Sequence, residues 1–244
     1  MQVGFAVRSS QSDMSALWIA NLGVVPYAEA LQLQRDLAAA RITGDIPEDV
    51  LLLLEHPPVV TLGRGSRDAH LTSSPGFLAS RGVELFEVER GGDVTFHGPG
   101  QLVGYPVIDL KRHKRDLHWY LRQVEEALIR TLAAFGVTAE RNPGYTGVWT
   151  SGRKIASIGV HARDWVTWHG FALNVTTDLS YFDLIVPCGI SGVQMTSIAR
   201  ERPDAQLTVA RAADVMAAAF ASVFEMTAAE RTVGELSRMH PAAP

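Results

Sequence analysis

The single cysteine of the chain lies in a stretch that could support covalent chemistry. Cys188 sits between Pro187 and Gly189 in VPCGISG, residues 186–192, where a run of apolar residues ends. A thiol at the end of a strand is presented at an edge, beside backbone amides that can stabilise an oxyanion. A free cysteine is more commonly a small buried apolar residue, inert unless its surroundings favour the thiolate. Position alone leaves both interpretations open.

The second chemical candidate is a lysine in a chain that uses arginine for most of its basic residues. The 22 basic residues include three lysines, at Lys111, Lys114 and Lys154. Arginine keeps its proton, whereas a partly buried lysine can release it. Lys154 lies in GRKIASIGVH, residues 152–161. Strand alternation places it on a face with Ala156, Ile158 and Val160. The alternative is a lysine at a strand end whose amine reaches into water.

The third candidate is a glycine-rich stretch, RGGDVTFHGPGQ, covering residues 90–101. It matches neither the dinucleotide fingerprint nor the Walker A pattern, which argues against the commonest nucleotide sites. Its glycines let backbone approach a ligand closely and leave N–H groups free to bind it. Glycine clusters also mark ordinary turns, so a hairpin with a solvated histidine remains the alternative.

Composition bounds the class of protein. The chain has 244 residues, 47% hydrophobic and 20% charged, as in ordinary globular proteins with a substantial core. A net charge of −4 argues against general nucleic-acid binding. No apolar run is long enough to span a membrane, no secretory signal is evident, and a lone cysteine suits a reducing compartment, so we expect a cytoplasmic protein. The eight histidines show no zinc-site spacing, and we expect no metal.

Hydrophobic periodicity places these candidates on a simple framework. Helices are predicted from Pro26 to about Gly44, along 117–135, and over 209–224 with Thr208 as N-cap. Strands are predicted at 50–54, 59–62, 84–88 and 102–108, with several short strands within 146–175. The pattern indicates one α+β domain, a central mixed sheet flanked by helices, over residues 21–226. Residues 1–20 and 227–244 are predicted to be tails.

Three stretches together resemble one family, the octanoyltransferases of lipoate biosynthesis, also called lipoyl(octanoyl) transferases. They are RGGDVTFHGPGQLVGYPVIDL, GRKIASIGVHARDWVTWHGFALNV and DLSYFDLIVPCGI, with weaker similarity in PYAEALQLQ and TLGRG. Such long, ordered matches are far more specific than a single motif. The resemblance implies a fold like the catalytic core of biotin and lipoate protein ligases.

The resemblance also implies an activity. An octanoyl group would pass from acyl carrier protein to a lysine of lipoyl domains in 2-oxo-acid dehydrogenases or of the glycine cleavage H protein. Cys188 would form the acyl thioester, and Lys154 would favour its thiolate and transfer a proton. No metal, ATP or prosthetic group would be needed. The acyl pocket would be lined by Arg90, Gly91, Gly92, Asp93, Val94, Thr95, Phe96, His97, Ser157, Ile158, Gly159, Gly170, Phe171 and Ala172.

The residue chemistry agrees with that implication. Thioester exchange needs a soft nucleophile that is also a good leaving group, and a thiolate is both. The second step has an amine nucleophile, so the site needs a base for its proton. Three rivals remain: an ATP-dependent lipoate or biotin ligase, a hydrolase using Cys188 and His97, and a binding module with a structural cysteine. Whether His97 acts chemically or shapes the pocket is open, and we favour shaping.

A cationic run, KRHKR, is a possible docking patch for an acidic carrier protein. It covers residues 111–115, with charges at Lys111, Arg112, Lys114 and Arg115. A cluster of this kind can steer encounter with an acidic partner. The alternative, which composition favours, is a solvated loop.

Overall fold

A large mixed sheet carries most of the chain. The computed structural model describes residues 15–190 and 192–239. Its strands are β1 (Ala16–Val24), β2 (Asp49–Glu55), β3 (Val59–Leu62), β4 (Glu84–Glu87), β5 (Val94–His97), β6 (Gln101–Val107), β7 (Glu140–Asn142), β8 (Tyr145–Thr150), β9 (Arg153–Arg163), β10 (Val166–Asn174) and β11 (Thr227–Glu230). Its helices are α1 (Tyr27–Thr43), α2 (Pro75–Ser80), α3 (Leu117–Ala134), α4 (Ile198–Glu201), α5 (Val209–Val223) and α6 (Val233–Met239).

The strands form two sheets. The larger has eight strands in the order β11-β1-β2-β6-β10-β9-β8-β7, and the smaller has three in the order β4-β3-β5. The pairs of β1 with β2 and β11 are parallel, whereas β6, β10, β9 and β8 run antiparallel to their neighbours. The predicted α+β class with a central mixed sheet flanked by helices is confirmed.

Helices cover both faces of the large sheet. Along α3, the residues Val124, Leu128 and Leu132 follow a helical stripe and are fully buried in one core cluster with α5 and the sheet. A second cluster packs α1 against the opposite face. Capping residues set the ends of the helices: the Thr208 side chain accepts the Arg211 N–H at the start of α5, as predicted.

Three predicted boundaries need correction. Ala16–Ala20 belong to β1 instead of an N-terminal tail, and their side chains are mostly buried. Thr227–Glu230 form β11 along β1, instead of beginning a C-terminal tail. The strands expected to be short within 146–175 include two long ones, β9 and β10. Pairing between distant segments decides each case, and local patterns do not register it. Val233–Met239, also within the predicted C-terminal tail, form α6. Residues 1–14 and 240–244 of the predicted tails lie outside the described residues.

The small sheet holds the glycine-rich stretch against the large one. Strand β5, which the sequence patterns did not predict, pairs antiparallel with β3, so the residues before it form a loop facing β9. The Gly91 N–H donates to the Val160 carbonyl of β9 across this junction, at 2.8 Å. Within the described ranges, no helix is long and apolar enough to cross a membrane.

Candidate active site

Lys154 reaches the site because β9 contains a bulge. Val148 of β8 pairs with Ala156, but the adjacent Trp149 pairs with Lys154, so β9 carries one extra residue, Ile155. Both Ile155 and Ala156 are buried in the same core cluster, which strict alternation forbids. The prediction that Lys154 shares a face with Ala156, Ile158 and Val160 is therefore wrong.

Backbone contacts fix this lysine on both sides. Its N–H donates to the Gln194 carbonyl at 2.8 Å, and its carbonyl accepts from the Thr196 N–H at 2.9 Å. The side chain is 2% exposed, and Nζ lies 5.0 Å from the centre of the Trp149 ring. A buried lysine of this kind differs from the alternative of an amine reaching into water.

Cys188 stands on a single turn that follows the 3₁₀ segment Leu179–Leu184, and not at the end of a strand as predicted. The turn, Pro187–Gly189, is a short 3₁₀ segment in which Cys188 has φ 56° and ψ 19°, the left-handed region. Non-glycine residues rarely adopt this conformation, and when they do it commonly marks a functional site. The amides that follow are not free: the Gly189 N–H donates to Val186 and the Ile190 N–H to Pro187. These two amides are therefore not among the backbone donors that an oxyanion could use.

The side chains of Lys154 and Cys188 are in contact. Lys154 Nζ lies 3.0 Å from Cys188 Sγ, and Ser157 Oγ lies 3.8 Å from the same sulfur. A buried ammonium needs an anionic partner, and within the described part of the chain the atom that Nζ contacts is this sulfur. Ammonium with thiolate and amine with thiol are both neutral pairs. A proton can therefore move between the two groups without burying net charge.

One cavity opens onto this pair. It is lined by Lys154, Cys188 and all of the predicted pocket residues except Gly91 and Phe96. The sequence therefore located one contiguous site from three separated stretches, and the roles of the individual residues remain predictions. Further lining residues, which the sequence analysis did not select, are Tyr27, Tyr105, Gly144, Tyr145, Thr146, His169 and Ile190.

Phe96 and Gly91 do not line the cavity but contribute to the packing around it. Phe96 is buried in a core cluster of the small sheet, and its ring stacks on Tyr181 with centroids 4.6 Å apart. Gly91 contributes the amide that joins the loop to β9, and a Cβ there would come within 3.3 Å of the Val160 oxygen. Phe96 faces its core cluster, whereas Thr95 and His97 on either side of it line the cavity, as alternation along β5 requires.

Arg90 lines the cavity but directs its guanidinium to the framework. Its Nε and Nη2 donate to the Thr61 hydroxyl at 3.2 and 2.9 Å, and Nη2 also donates to the Thr61 carbonyl at 2.7 Å. These bonds tie the start of the glycine-rich loop to β3. Gly170 likewise permits close packing, since a Cβ there would lie 2.2 Å from the Gly104 oxygen.

His97 is held in one tautomer by a chain of side-chain amides. Asn174 Nδ2 donates to the Thr196 carbonyl, so its oxygen is left to accept from Gln101 Nε2 at 2.9 Å. Gln101 Oε1 is then the atom 2.8 Å from His97 Nδ1, and that nitrogen must donate. Burial lowers the pKa of His97 to about 3, with neighbouring His56 lowering it further. His97 is neutral, which supports a shaping role over an acid–base role.

The histidine and tyrosine rings packed beside His97 are also uncharged at neutral pH. Burial lowers the pKa of His56 to about 4 and raises that of Tyr27 to about 12. His56 Nδ1 donates to the Val25 carbonyl, so Nε2 accepts from the Tyr105 hydroxyl at 2.7 Å. No cluster of histidine, cysteine and carboxylate side chains able to hold a metal occurs in residues 15–190 and 192–239.

The cationic run lies far from the pair. Its cations make ion pairs, Lys111 with Asp109, Arg112 with Glu48, and Lys114 with Asp116. Leu110 bonds to Trp165 at the hairpin between β9 and β10, whereas Lys154 begins β9. At about 3.3 Å per residue, the length of β9 separates the two by roughly 30 Å. This placement favours the solvated loop.

Comparison with known proteins agrees with the arrangement. Residues 26–221 match the family described as lipoyl protein ligase A/B catalytic domain. An octanoyltransferase of Rubrobacter xylanophilus is 58% identical over 181 residues, which cover 73% of this chain and 80% of the relative. An octanoyltransferase of Gloeobacter violaceus is 51% identical over 83% of this chain and 87% of its own.

Solved structures with the same fold are more distant in sequence. Lipoate-protein ligase A bound with ATP superposes with a TM-score of 0.73 at 17% identity, covering 90% of this chain and 92% of that one. A bi-partite lipoate protein ligase from Thermoplasma acidophilum gives 0.72 at 18% identity, covering 92% and 91%. At these identities the likeness concerns the fold alone.

Proposed function

The chain belongs to the family of lipoyl protein ligase A/B catalytic domains and catalyses octanoyl transfer in protein lipoylation, and we propose that it does so through an acyl thioester on Cys188. The resemblance seen in the sequence motifs is thereby confirmed. The observation that carries the thioester proposal is the 3.0 Å contact of Lys154 Nζ with Cys188 Sγ at the wall of the cavity.

In the first half-reaction, the donor is an octanoyl thioester of acyl carrier protein. The Cys188 thiolate attacks the thioester carbonyl, a bond forms between its sulfur and the acyl carbon, and the bond to the carrier sulfur breaks. Lys154 gives its proton to the departing carrier thiolate, which leaves as a thiol. The products are octanoyl-Cys188 and a neutral Lys154 amine.

Acylation prepares the base for the second half-reaction. Once the sulfur is acylated, Lys154 has given up its proton and its neutral amine can accept another. The acceptor, a lysine amine of a lipoyl domain, attacks the thioester and gives its proton to Lys154. An amide forms, the carbon–sulfur bond of Cys188 breaks, and the thiolate–ammonium pair returns.

Intact-mass measurement tests the proposal. Incubation with octanoyl carrier protein should add one octanoyl group to the protein, removable by hydroxylamine and mapped to the peptide of Cys188. Adding a lipoyl domain should move the group to that domain without ATP. Cys188→Ala is the control and should give no adduct. Transfer by Cys188→Ala at the normal rate would exclude the thioester route, and transfer only with ATP and free acid would point to a ligase.

A further inference from the structure

A second hydrogen-bonded pair lies beside the nucleophile turn. His70 Nδ1 lies 2.5 Å from Asp93 Oδ2, and the side chains are 21% and 11% exposed. The other Asp93 oxygen accepts from the Val94 N–H at 2.7 Å, which fixes the orientation of the carboxylate. Asp93 also lines the acyl cavity. None of the chemistry described above uses His70.

This pair contacts the turn at two points. The Val186 N–H, at the entrance to the turn, donates to the His70 carbonyl at 2.8 Å. Gly189, at its exit, packs directly on the pair: a Cβ there would lie 2.4 Å from Asp93 Oδ2 and 2.9 Å from His70 Cε1. The pair therefore contacts the residues on both sides of Pro187–Cys188.

The turn needs such support. Cys188 has φ 56° without being glycine, a conformation that persists only where the surroundings over-determine it. The hydrogen bonds of Gly189 and Ile190 are made within the turn, so they do not tie it to the rest of the protein. External contacts must therefore fix where the sulfur points.

We propose that the His70–Asp93 pair is a positioning device that holds Cys188 in its left-handed conformation, with the thiol aimed at Lys154 and the cavity. The inference rests on the proposed role of Cys188 as nucleophile. His70 and Asp93 act through the turn, and no direct contact with the reacting atoms is required. Since Asp93 also lines the cavity, the acyl group and the nucleophile are aligned by the same carboxylate.

Variants of the hydrogen bond test the pair. His70→Ala removes the donor, His70→Asn keeps an N–H near the position of Nδ1, and Asp93→Leu removes the acceptor with little change in size. His118→Ala is the matched control, because His118 is an exposed histidine on α3. Each variant is assayed for both half-reactions, for its melting temperature, and for the rate of Cys188 alkylation by iodoacetamide. As Cys188 is the single cysteine, thiol reactivity reports on it alone.

We expect His70→Ala and Asp93→Leu to lower kcat of both half-reactions by about 10- to 100-fold, as misplacement of a reacting group does, with KM changed by less than about threefold. Alkylation should slow in parallel. The double variant should be no worse than either single variant, because the two residues act as one unit. His70→Asn should recover most of the loss, and His118→Ala should match the wild type.

Near-normal kcat and alkylation in a folded His70→Ala protein would overturn the inference. So would multiplicative losses in the double variant, or a loss in His70→Asn as large as in His70→Ala. If His70→Ala does not fold, the inference is tested with His70→Asn and Asp93→Leu instead. Failure of the thioester proposal is distinguishable, since Cys188→Ala would then stay active while the alkylation rates still report whether the pair positions the thiol.

Discussion

The two members of the reacting pair come from regions built in different ways. Lys154 lies on a bulged strand inside an eight-stranded sheet, with backbone bonds to Gln194 and Thr196. Cys188 lies on one short turn outside the sheet, partly exposed, in a conformation that local bonding alone does not secure. The sheet fixes Lys154, the proposed proton donor and acceptor, as part of the core, whereas a few loop contacts fix Cys188, the proposed nucleophile. Damage on the sheet side should cost stability and activity together, and damage on the turn side should cost activity alone.

The largest effect is expected at Lys154 itself. Lys154→Ala should slow both half-reactions, by about 10²- to 10⁴-fold for the lost proton transfer. Lys154→Arg keeps a cation beside the thiolate and should allow some acylation, but guanidinium cannot accept the proton of the attacking amine. Octanoyl-enzyme should therefore accumulate. Single-turnover mass spectrometry, with carrier protein first and lipoyl domain second, separates the steps.

The matched control is a substitution on β9 that leaves Lys154 in place and removes a neighbour of the Cys188 sulfur. Ser157→Ala deletes the hydroxyl 3.8 Å from Sγ and should change either step by only a few fold. A Lys154→Arg enzyme that completes both steps near the normal rate would refute the proton-transfer role and leave Lys154 as a fixed charge.

Two glycines test this contrast directly, because Gly147 packs against Lys154 and Gly189 is the residue that follows Cys188 in the turn. A Cβ at Gly147, with φ 130°, would lie 2.6 Å from the Ala156 oxygen and 2.9 Å from Lys154 Cε. Gly147→Ala should therefore destabilise the fold by about 1–3 kcal/mol and lower activity as well. Gly189→Ala should lower kcat by about 10- to 100-fold through displacement of the sulfur. Its loss of stability should not exceed that of Gly192→Ala, because both glycines have a positive φ and the displaced turn lies outside the sheet.

Denaturant titration and steady-state kinetics on both variants check this contrast. Gly192, with φ 76° and open space around its Cβ position, provides a control for conformational strain alone. Equal stability losses at Gly147 and Gly189 would contradict the distinction between a sheet-built and a turn-built half of the site.

A smaller effect should appear in the pH dependence of stability. The lowered pKa values of His97, about 3, and His56, about 4, lie below the ordinary value of 6.5. Below pH 6.5 these histidines become protonated in the unfolded chain but stay neutral in the folded protein. The free energy of unfolding is therefore at its full value above that pH and declines as the pH falls below it. Each contributes at most about 1.4 kcal/mol per pH unit in this window.

Urea titrations between pH 7.5 and 5 measure this slope above the range where carboxylates titrate. His97→Gln should reduce it, since one of the contributing histidines is then absent. A free energy of unfolding that does not change over this range would show that the buried end of the cavity takes up protons without penalty.

The smallest effect is expected from the cationic run. Replacing Lys111 and Arg115 by glutamate should leave kcat and KM for octanoyl carrier protein within about twofold, since exposed charges contribute little and the site lies roughly 30 Å away. The same assay with a small octanoyl thioester is the control. A large rise in KM for the carrier alone would restore the docking hypothesis for this loop.

The sequence identified which residues lie together at the site, but it did not predict the backbone geometry that places them there. Cys188 and Lys154 were found from residue type and motif, because a unique cysteine in a Pro-Gly turn and a rare lysine are local signals. The bulge at Ile155 and the left-handed backbone of Cys188 were not found, since both depend on pairing with distant segments. Strand β5 was missed for a different reason: its four residues are too few to show a period. Tyr105 and His169 stood in matched motifs beside selected residues, and adjacency to Gly170 was the signal that could have identified His169.

The pairing of β11 with β1 has a consequence for association between copies of the protein. Thr227 bonds to the Ser15 carbonyl, and the next residues continue alongside β1. A chain cut after residue 226 would leave β1 as the outermost strand, with unpaired N–H and C=O groups available to a strand of another molecule. The segment expected to be a tail thus covers Ala16–Ile19 of β1 and leaves at the sheet edge a strand of four residues, which is a shorter template for aggregation.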